Sequence, residues 1–162
     1  MTKKKIEITS TLTLHTWSSL AEDVQELVSK AKDAAEKAYA PYSQFLVGAA
    51  VLLQDGQVFT ANNQENVCFP VGVCAERILL GYTHANFPEI PPIKLAIVAR
   101  RAAGKDDYAT VTPCGLCRQS ISEYEMKFGQ PIALFMYMPS GEVLQANGID
   151  QLLPFKFEDL NK

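Results

Sequence analysis

This sequence is poor in the features that would send a chain to a membrane, a nucleic acid or the cell exterior. No run approaches the roughly 18 apolar residues that span a bilayer. A secretory leader is not expected either. Lys3-Lys4-Lys5 is basic, but Ile6 to Trp17 is broken by Thr, Ser, Glu and His where about 7–15 consecutive apolar residues are needed. Positive charge is short, with 15 Lys+Arg against 18 Asp+Glu and a net charge of −3. Domains that bind nucleic acid usually show a basic face and a pI above about 9, so no polynucleotide partner is expected. Cysteine is too scarce for a disulfide scaffold, at four in 162 residues. The expectation is a cytoplasmic protein whose thiols are buried, nucleophilic or metal-ligating.

What is present suits a folded domain. Hydrophobic residues make up 48% and charged residues 20%, and a chain near 150 residues buries about 68–70% of its unfolded surface. Residues 1–17 read as an N-terminal extension, a strand or an arm, because Ile6, Ile8, Leu12 and Leu14 fall at even positions. Residues 18–162 read as one domain with no internal linker. Ser19 and Glu22 fit a capping box, opening a helix whose apolar stripe runs from Leu20 through Ala38 until Pro41 stops it. Val47 to Leu53, the Asp55-Gly56 turn and Val58 to Thr60 read as a hairpin. A helix starts near Cys74. Asn86 to Pro92 holds three prolines and reads as a connection. Lys94 to Ala99 reads as a strand, and Arg100 to Tyr108 as a charged loop. Pro113 opens a helix that Gly129 ends. Ile132 to Met138 and Val143 to Gln145 are strands, and Ile149 to Leu153 is one helical turn. Helices alternating with apolar strands predict a three-layer α/β/α arrangement.

The chemistry sits where helices begin. Cys114 and Cys117, in Pro113-Cys114-Gly115-Leu116-Cys117, bring two sulfurs within reach of one metal. Helix N-termini favour the thiolate form. Cys74, at the start of another helix, supplies a third ligand for a Zn2+ site that keeps one open position, as catalytic zinc requires. Glu76 falls in the first turn after Cys74 and reaches that position without ligating. Three thiolates on Zn2+ leave a surplus negative charge, so cations are expected nearby, and Arg77 and Arg118 adjoin the proposed chemistry. A redox pair and a structural zinc with Cys68 as fourth ligand are the other readings. The first leaves Cys74-Ala75-Glu76-Arg77 unexplained, and the second has unsuitable spacing. Cys68 reads as a core thiol, and His15 and His84 as ordinary residues.

Cys74-Ala75-Glu76-Arg77 with Pro113-Cys114-Gly115-Leu116-Cys117-Arg118-Gln119 resembles the small homotetrameric cytidine deaminases. Ala38 to Phe45 with Val47-Gly48-Ala49-Ala50, Asn63-Gln64-Glu65-Asn66, and Leu152-Leu153-Pro154 with Phe157 extend the likeness over about residues 20–162. Phe69 stands where the family often has Tyr. The resemblance implies a mixed, mostly five-stranded sheet, one Zn2+ per chain and a homotetramer acting in pyrimidine salvage on a small-molecule nucleoside.

It also implies roles for individual residues. Cys74, Cys114 and Cys117 hold the metal, whose activated water attacks C4 of cytosine. Glu76 shuttles the proton to N3 and the leaving amine. The N–H of Ala75 binds O2 of the base, and the Thr112 carbonyl orients the departing ammonia. Asn63 and Glu65, on one side of an extended segment, pair with the ribose 3′-hydroxyl. Phe45 and Phe157 face the base, with Phe157 reaching in from a neighbouring subunit. The activity so implied is hydrolysis of cytidine and 2′-deoxycytidine to the uridines plus ammonia. A deaminase of another aminopyrimidine nucleoside, or a zinc-stabilised binding module, are the alternatives.

Overall fold

The computed structural model describes residues 3–157, so both ends of the expected extension and domain lie outside the described residues. Seven strands form one mixed sheet: β1 (Thr13–His15), β2 (Phe45–Leu53), β3 (Val58–Asn62), β4 (Pro92–Arg101), β5 (Tyr108–Ala109), β6 (Ala133–Tyr137) and β7 (Val143–Ala146). Their order is β1-β7-β6-β4-β2-β3, with β5 folded back on β4. The β4–β6 pair is parallel and the others are antiparallel. The expected five-stranded sheet is thus its centre, and the short β1 and β5 are additions.

Alternation along the strands builds two cores. Ala49, Val51, Leu53, Leu95 and Ile97 face one side, where they pack on helices α2 (Ala75–Asn86) and α3 (Gly115–Phe128). Their neighbours Ala50, Ala96 and Val98 face the other side and helix α1 (Glu22–Ala35), which brings Val24, Leu27, Val28 and Ala31. Small residues let α1 lie close on β2. A Cβ at Gly48 would stand 2.0 Å from the Ala31 oxygen and 2.4 Å from the Ala35 nitrogen. Both obstacles are backbone, which cannot swing aside. Gly48→Ala is therefore expected to cost about 3 kcal/mol or more, measured by urea unfolding of the variant against the parent.

Several local expectations are corrected. The capping box does not form: the Ser19 hydroxyl donates to the Thr16 carbonyl, inside a separate helical turn at Trp17–Ser19, and the N-cap of α1 is Ala21. Helix α1 ends at Ala35, well before Pro41. Tyr39 is drawn into extended pairing, donating to the Asn63 carbonyl and accepting from the Glu65 N–H, which helical backbone cannot do. The charged loop begins later than expected, because β4 runs on to Arg101. Arg100 is buried there and donates to Glu36 at 2.6 Å and to the Arg101 and Gly104 carbonyls. Of the even-numbered apolar residues near the start, Leu14 lies in β1 against β7, while Ile6 and Ile8 stay exposed outside any strand. No helix among the described residues is long and apolar enough to cross a membrane.

A buried carboxylate anchors the far end of α3. Glu125 Oε1 accepts the N–H groups of Ile132 at 2.8 Å and Ile149 at 2.9 Å. Burial pushes its pKa above the usual carboxylate range, and those two donors only partly oppose the rise. A raised folded-state pKa means the native protein binds more protons than the unfolded chain just above the ordinary value. This group's contribution to stability therefore falls as pH rises through that window. Glu125→Gln keeps the acceptor and is expected to remove that part of the pH slope in denaturant melts. Glu125→Ala leaves two buried N–H groups unpaired and is expected to cost about 2–4 kcal/mol.

Candidate active site

Two helix starts converge on one point. Cys74 is the N-cap of α2 and Cys114 the N-cap of α3, with Cys117 in the first turn of α3. The backbone at both N-caps is extended, so each chain turns into its helix at the sulfur-bearing residue. The Cys74 and Cys114 sulfurs lie 3.9 Å apart, those of Cys114 and Cys117 3.4 Å apart, and all three within 4.8 Å of one another. Tetrahedral zinc with Zn–S bonds of about 2.3 Å separates its sulfurs by about 3.8 Å, so the set fits that ion. Its proton chemistry fits as well. The hydrogen bond between Cys117 and Cys74 holds the Cys74 thiol below its ordinary pKa and pushes that of Cys117 up. A cation that displaces protons from such a cluster relieves the crowding.

Glu76, in the first turn of α2, is only 4% exposed. Burial raises its carboxyl pKa, opposed by bonds to its own backbone N–H and to Cys117, which places it against the sulfur cluster. The charge of Arg77 lowers the Cys74 pKa, as a nearby cation should. Arg118 adjoins Cys117 in the sequence and bonds oxygen. Its Nε donates to the Pro113 carbonyl at 2.7 Å, Nη1 to the Leu152 carbonyl at 2.7 Å and Nη2 to the Thr112 hydroxyl at 3.3 Å. Carbonyl oxygens are better acceptors than thiol sulfurs, and three of its donors go to oxygen.

Beside the sulfurs opens a cavity of about 660 Å³, within the range of small-molecule sites. Asn63, Glu65, Cys74 and Arg77 line it, with Tyr42, Phe69 and Leu116 among its apolar walls. Asn63, Gln64 and Glu65 all border it, in an extended segment pinned by paired backbone bonds between Gln64 and Val73. Asn63 also braces β2, donating to the Phe45 carbonyl at 2.9 Å and accepting the Val47 N–H at 2.8 Å. Glu65 Oε2 accepts the Tyr42 and Ser43 N–H groups at 2.9 and 3.2 Å, and bonding from Ser43 holds its pKa below the ordinary value. These two backbone donors were not anticipated. The Pro41-Tyr42-Ser43 turn is their only sequence signal.

Other expected residues lie apart from the cavity lining. Ala75 is buried at the first turn of α2, Phe45 is half-buried at the start of β2, and Thr112 is exposed before Pro113. Phe157 is 62% exposed, its carbonyl held by the Gln119 amide at 2.8 Å. Cys68 corrects the sequence reading: it is exposed, in the loop over the cavity, and its N–H bonds the Asn66 side chain. His84 packs edge-on against Tyr124 and Phe128, and His15 bonds Gln145.

Comparison with known proteins follows the same line. Residues 21–128 match the cytidine and deoxycytidylate deaminase zinc-binding region. The chain is 35% identical over 142 residues to a cytidine deaminase of Sporosarcina psychrophila, covering 86% of this chain and 96% of that one. It is 35% identical over 143 residues to the cytidine deaminase of Halalkalibacterium halodurans, covering 86% and 98%. Among solved structures, a cytidine deaminase from Burkholderia pseudomallei superposes with a TM-score of 0.70 at 33% identity, over 85% of this chain and 100% of that one. One from Mycobacterium tuberculosis gives 0.63 at 31% identity, over 86% and 100%.

Proposed function

This chain belongs to the zinc-dependent cytidine deaminases, and from that premise we propose that it deaminates both cytidine and 2′-deoxycytidine with Glu76 as its proton carrier. The observation that carries the reading is a buried carboxyl bonded to one of three zinc-ready thiols, another of which, Cys74, lines a nucleoside-sized cavity. Cys74, Cys114 and Cys117 hold the metal, which when bound supplies the Lewis acidity to ionise a water near neutral pH.

The chain's own groups do the rest. Glu76 takes one proton of the attacking water and delivers it to N3 of the base as the C4–O bond forms. It then takes the remaining proton from the C4 hydroxyl and gives it to the 4-amino group, which leaves as ammonia while the C4 carbonyl forms. A carboxyl shielded from water suits that work, since its pKa is brought toward the operating pH. The N–H of Ala75 binds O2, and the Thr112 carbonyl receives the ammonia. Glu65, with one oxygen held by the Tyr42 and Ser43 N–H groups, turns the other to the ribose 3′-hydroxyl beside Asn63. Arg77 offsets the charge of the sulfurs. Phe45 closes on the base within the chain, and the exposed Phe157 closes on the base of a neighbouring subunit. Activity then requires assembly, and the working form is a cytoplasmic homotetramer.

The test is ultraviolet-monitored deamination of cytidine, deoxycytidine and free cytosine, with zinc counted per chain and the assembly sized by sedimentation. Turnover of both nucleosides, about one zinc, and cytosine slower by roughly 10,000-fold are expected. A site built to bond a hydroxyl rejects a substrate lacking it by such factors. Comparable turnover of cytosine removes the role given to Asn63 and Glu65, and a fully active monomer removes the trans role of Phe157.

A further inference from the structure

Helix α3 holds the C-terminal segment at three points. Glu125 accepts the Ile149 N–H at 2.9 Å, Arg118 donates to the Leu152 carbonyl at 2.7 Å, and Gln119 donates to the Phe157 carbonyl at 2.8 Å. Beyond Leu152 the described segment has no helix or strand to fix its course. The Phe155 and Phe157 rings are 76% and 62% exposed, so packing within the chain does little to place them. Lys156 pairs with Asp150 one residue earlier, and the bond from Gln119 holds the Phe157 backbone itself, from which the ring projects. Gln119 in turn is set by the helical turn that carries Cys117, and Arg118 ties that turn to Thr112 and Pro113.

We infer that Gln119 is a positioning residue for deamination, fixing the Phe157 backbone so that its ring is presented to the neighbouring subunit's base. This rests on the trans role of Phe157 proposed above. Gln119 touches no reacting atom. It acts on substrate binding through Phe157, and Arg118 keeps the segment in step with the metal-ligand turn.

The experiment is a double-mutant cycle on the full chain, reading KM and kcat for cytidine together with zinc content. Gln119→Glu keeps the shape but replaces the donor with an acceptor. It is expected to raise KM about 10-fold with kcat within about 3-fold and zinc retained, while Gln119→Lys, which keeps a donor, recovers most of the loss. On a Phe157→Ala background Gln119→Glu should add less than about 2-fold, since the ring being positioned is gone. A role in the fold alone would carry over to that background in full, and full additivity overturns the inference. If Phe157→Ala raises KM and Gln119→Glu does not, the inference falls and the trans role stands. If Phe157→Ala is silent, the trans role falls and takes the inference with it. Should Glu at 119 unfold the protein, Gln119→Met deletes the donor without adding charge and is judged by the same outcomes.

Discussion

Glu76→Gln should lower kcat for cytidine by about 1,000-fold or more, while the variant folds and keeps about one zinc per chain. The size follows from what a positioned acid–base group contributes, roughly 100- to 10,000-fold, and here one group serves several proton transfers. Two carboxyls among the described residues are buried, and their surroundings separate their tasks. Glu125 is committed to two backbone N–H groups and holds structure. Glu76 has its own backbone N–H and the Cys117 thiol as bonding partners, against the sulfur cluster. Burial raises its pKa as it does that of Glu125, but Glu76 stands against a cluster of metal-binding thiols, and perturbed groups concentrate at functional sites. Glutamine fills the same volume and carries no transferable proton, so packing is preserved and only the shuttle is lost. Parallel kinetics, metal analysis and thermal melts of parent and variant test this. Turnover within 10-fold of the parent would remove Glu76 from the mechanism.

Much of this site was legible in the sequence because it depends on short spacings at helix starts. C-x-x-C after proline and C-x-E at a second helix put ligands and acid within a turn of each N-terminus, whatever the rest of the fold does. Alternating apolar residues in β2, β4 and β6 made the layers legible too. What was not legible depends on long-range pairing. The end of α1 is decided by Tyr39 bonding to residues 63 and 65, and the addition of β1 by β7 offering a free edge. One partner of Arg118, the Leu152 carbonyl, lies 34 residues onward, and nothing near Cys117 in the sequence announces it. Cys68 reads as buried from its residue type, yet stands in an exposed loop whose hydrogen bonds are local.

Removing the metal should abolish activity and lower thermal stability, and both should return with added zinc. The stability loss follows from mass action. A ligand present at about 1,000 times its dissociation constant adds about 4 kcal/mol, and in a chain of this size each kcal/mol moves the melting temperature by about 2–4 °C. A drop of roughly 8–16 °C on chelation is therefore expected. The loss should be local in origin. The starts of α2 and α3 meet at the sulfurs, and what the thiols offer one another without an ion is two long contacts, at 3.9 and 3.4 Å, and a hydrogen bond between Cys117 and Cys74. Cys117→Ser gives the same test without a chelator. Cys117 is fully buried, so an oxygen there keeps the packing but ligates zinc more weakly. Its zinc content and melting temperature should fall together, toward those of the stripped parent. A variant that lost zinc yet melted with the loaded parent would separate the metal from the fold, and the three thiols would then serve catalysis alone.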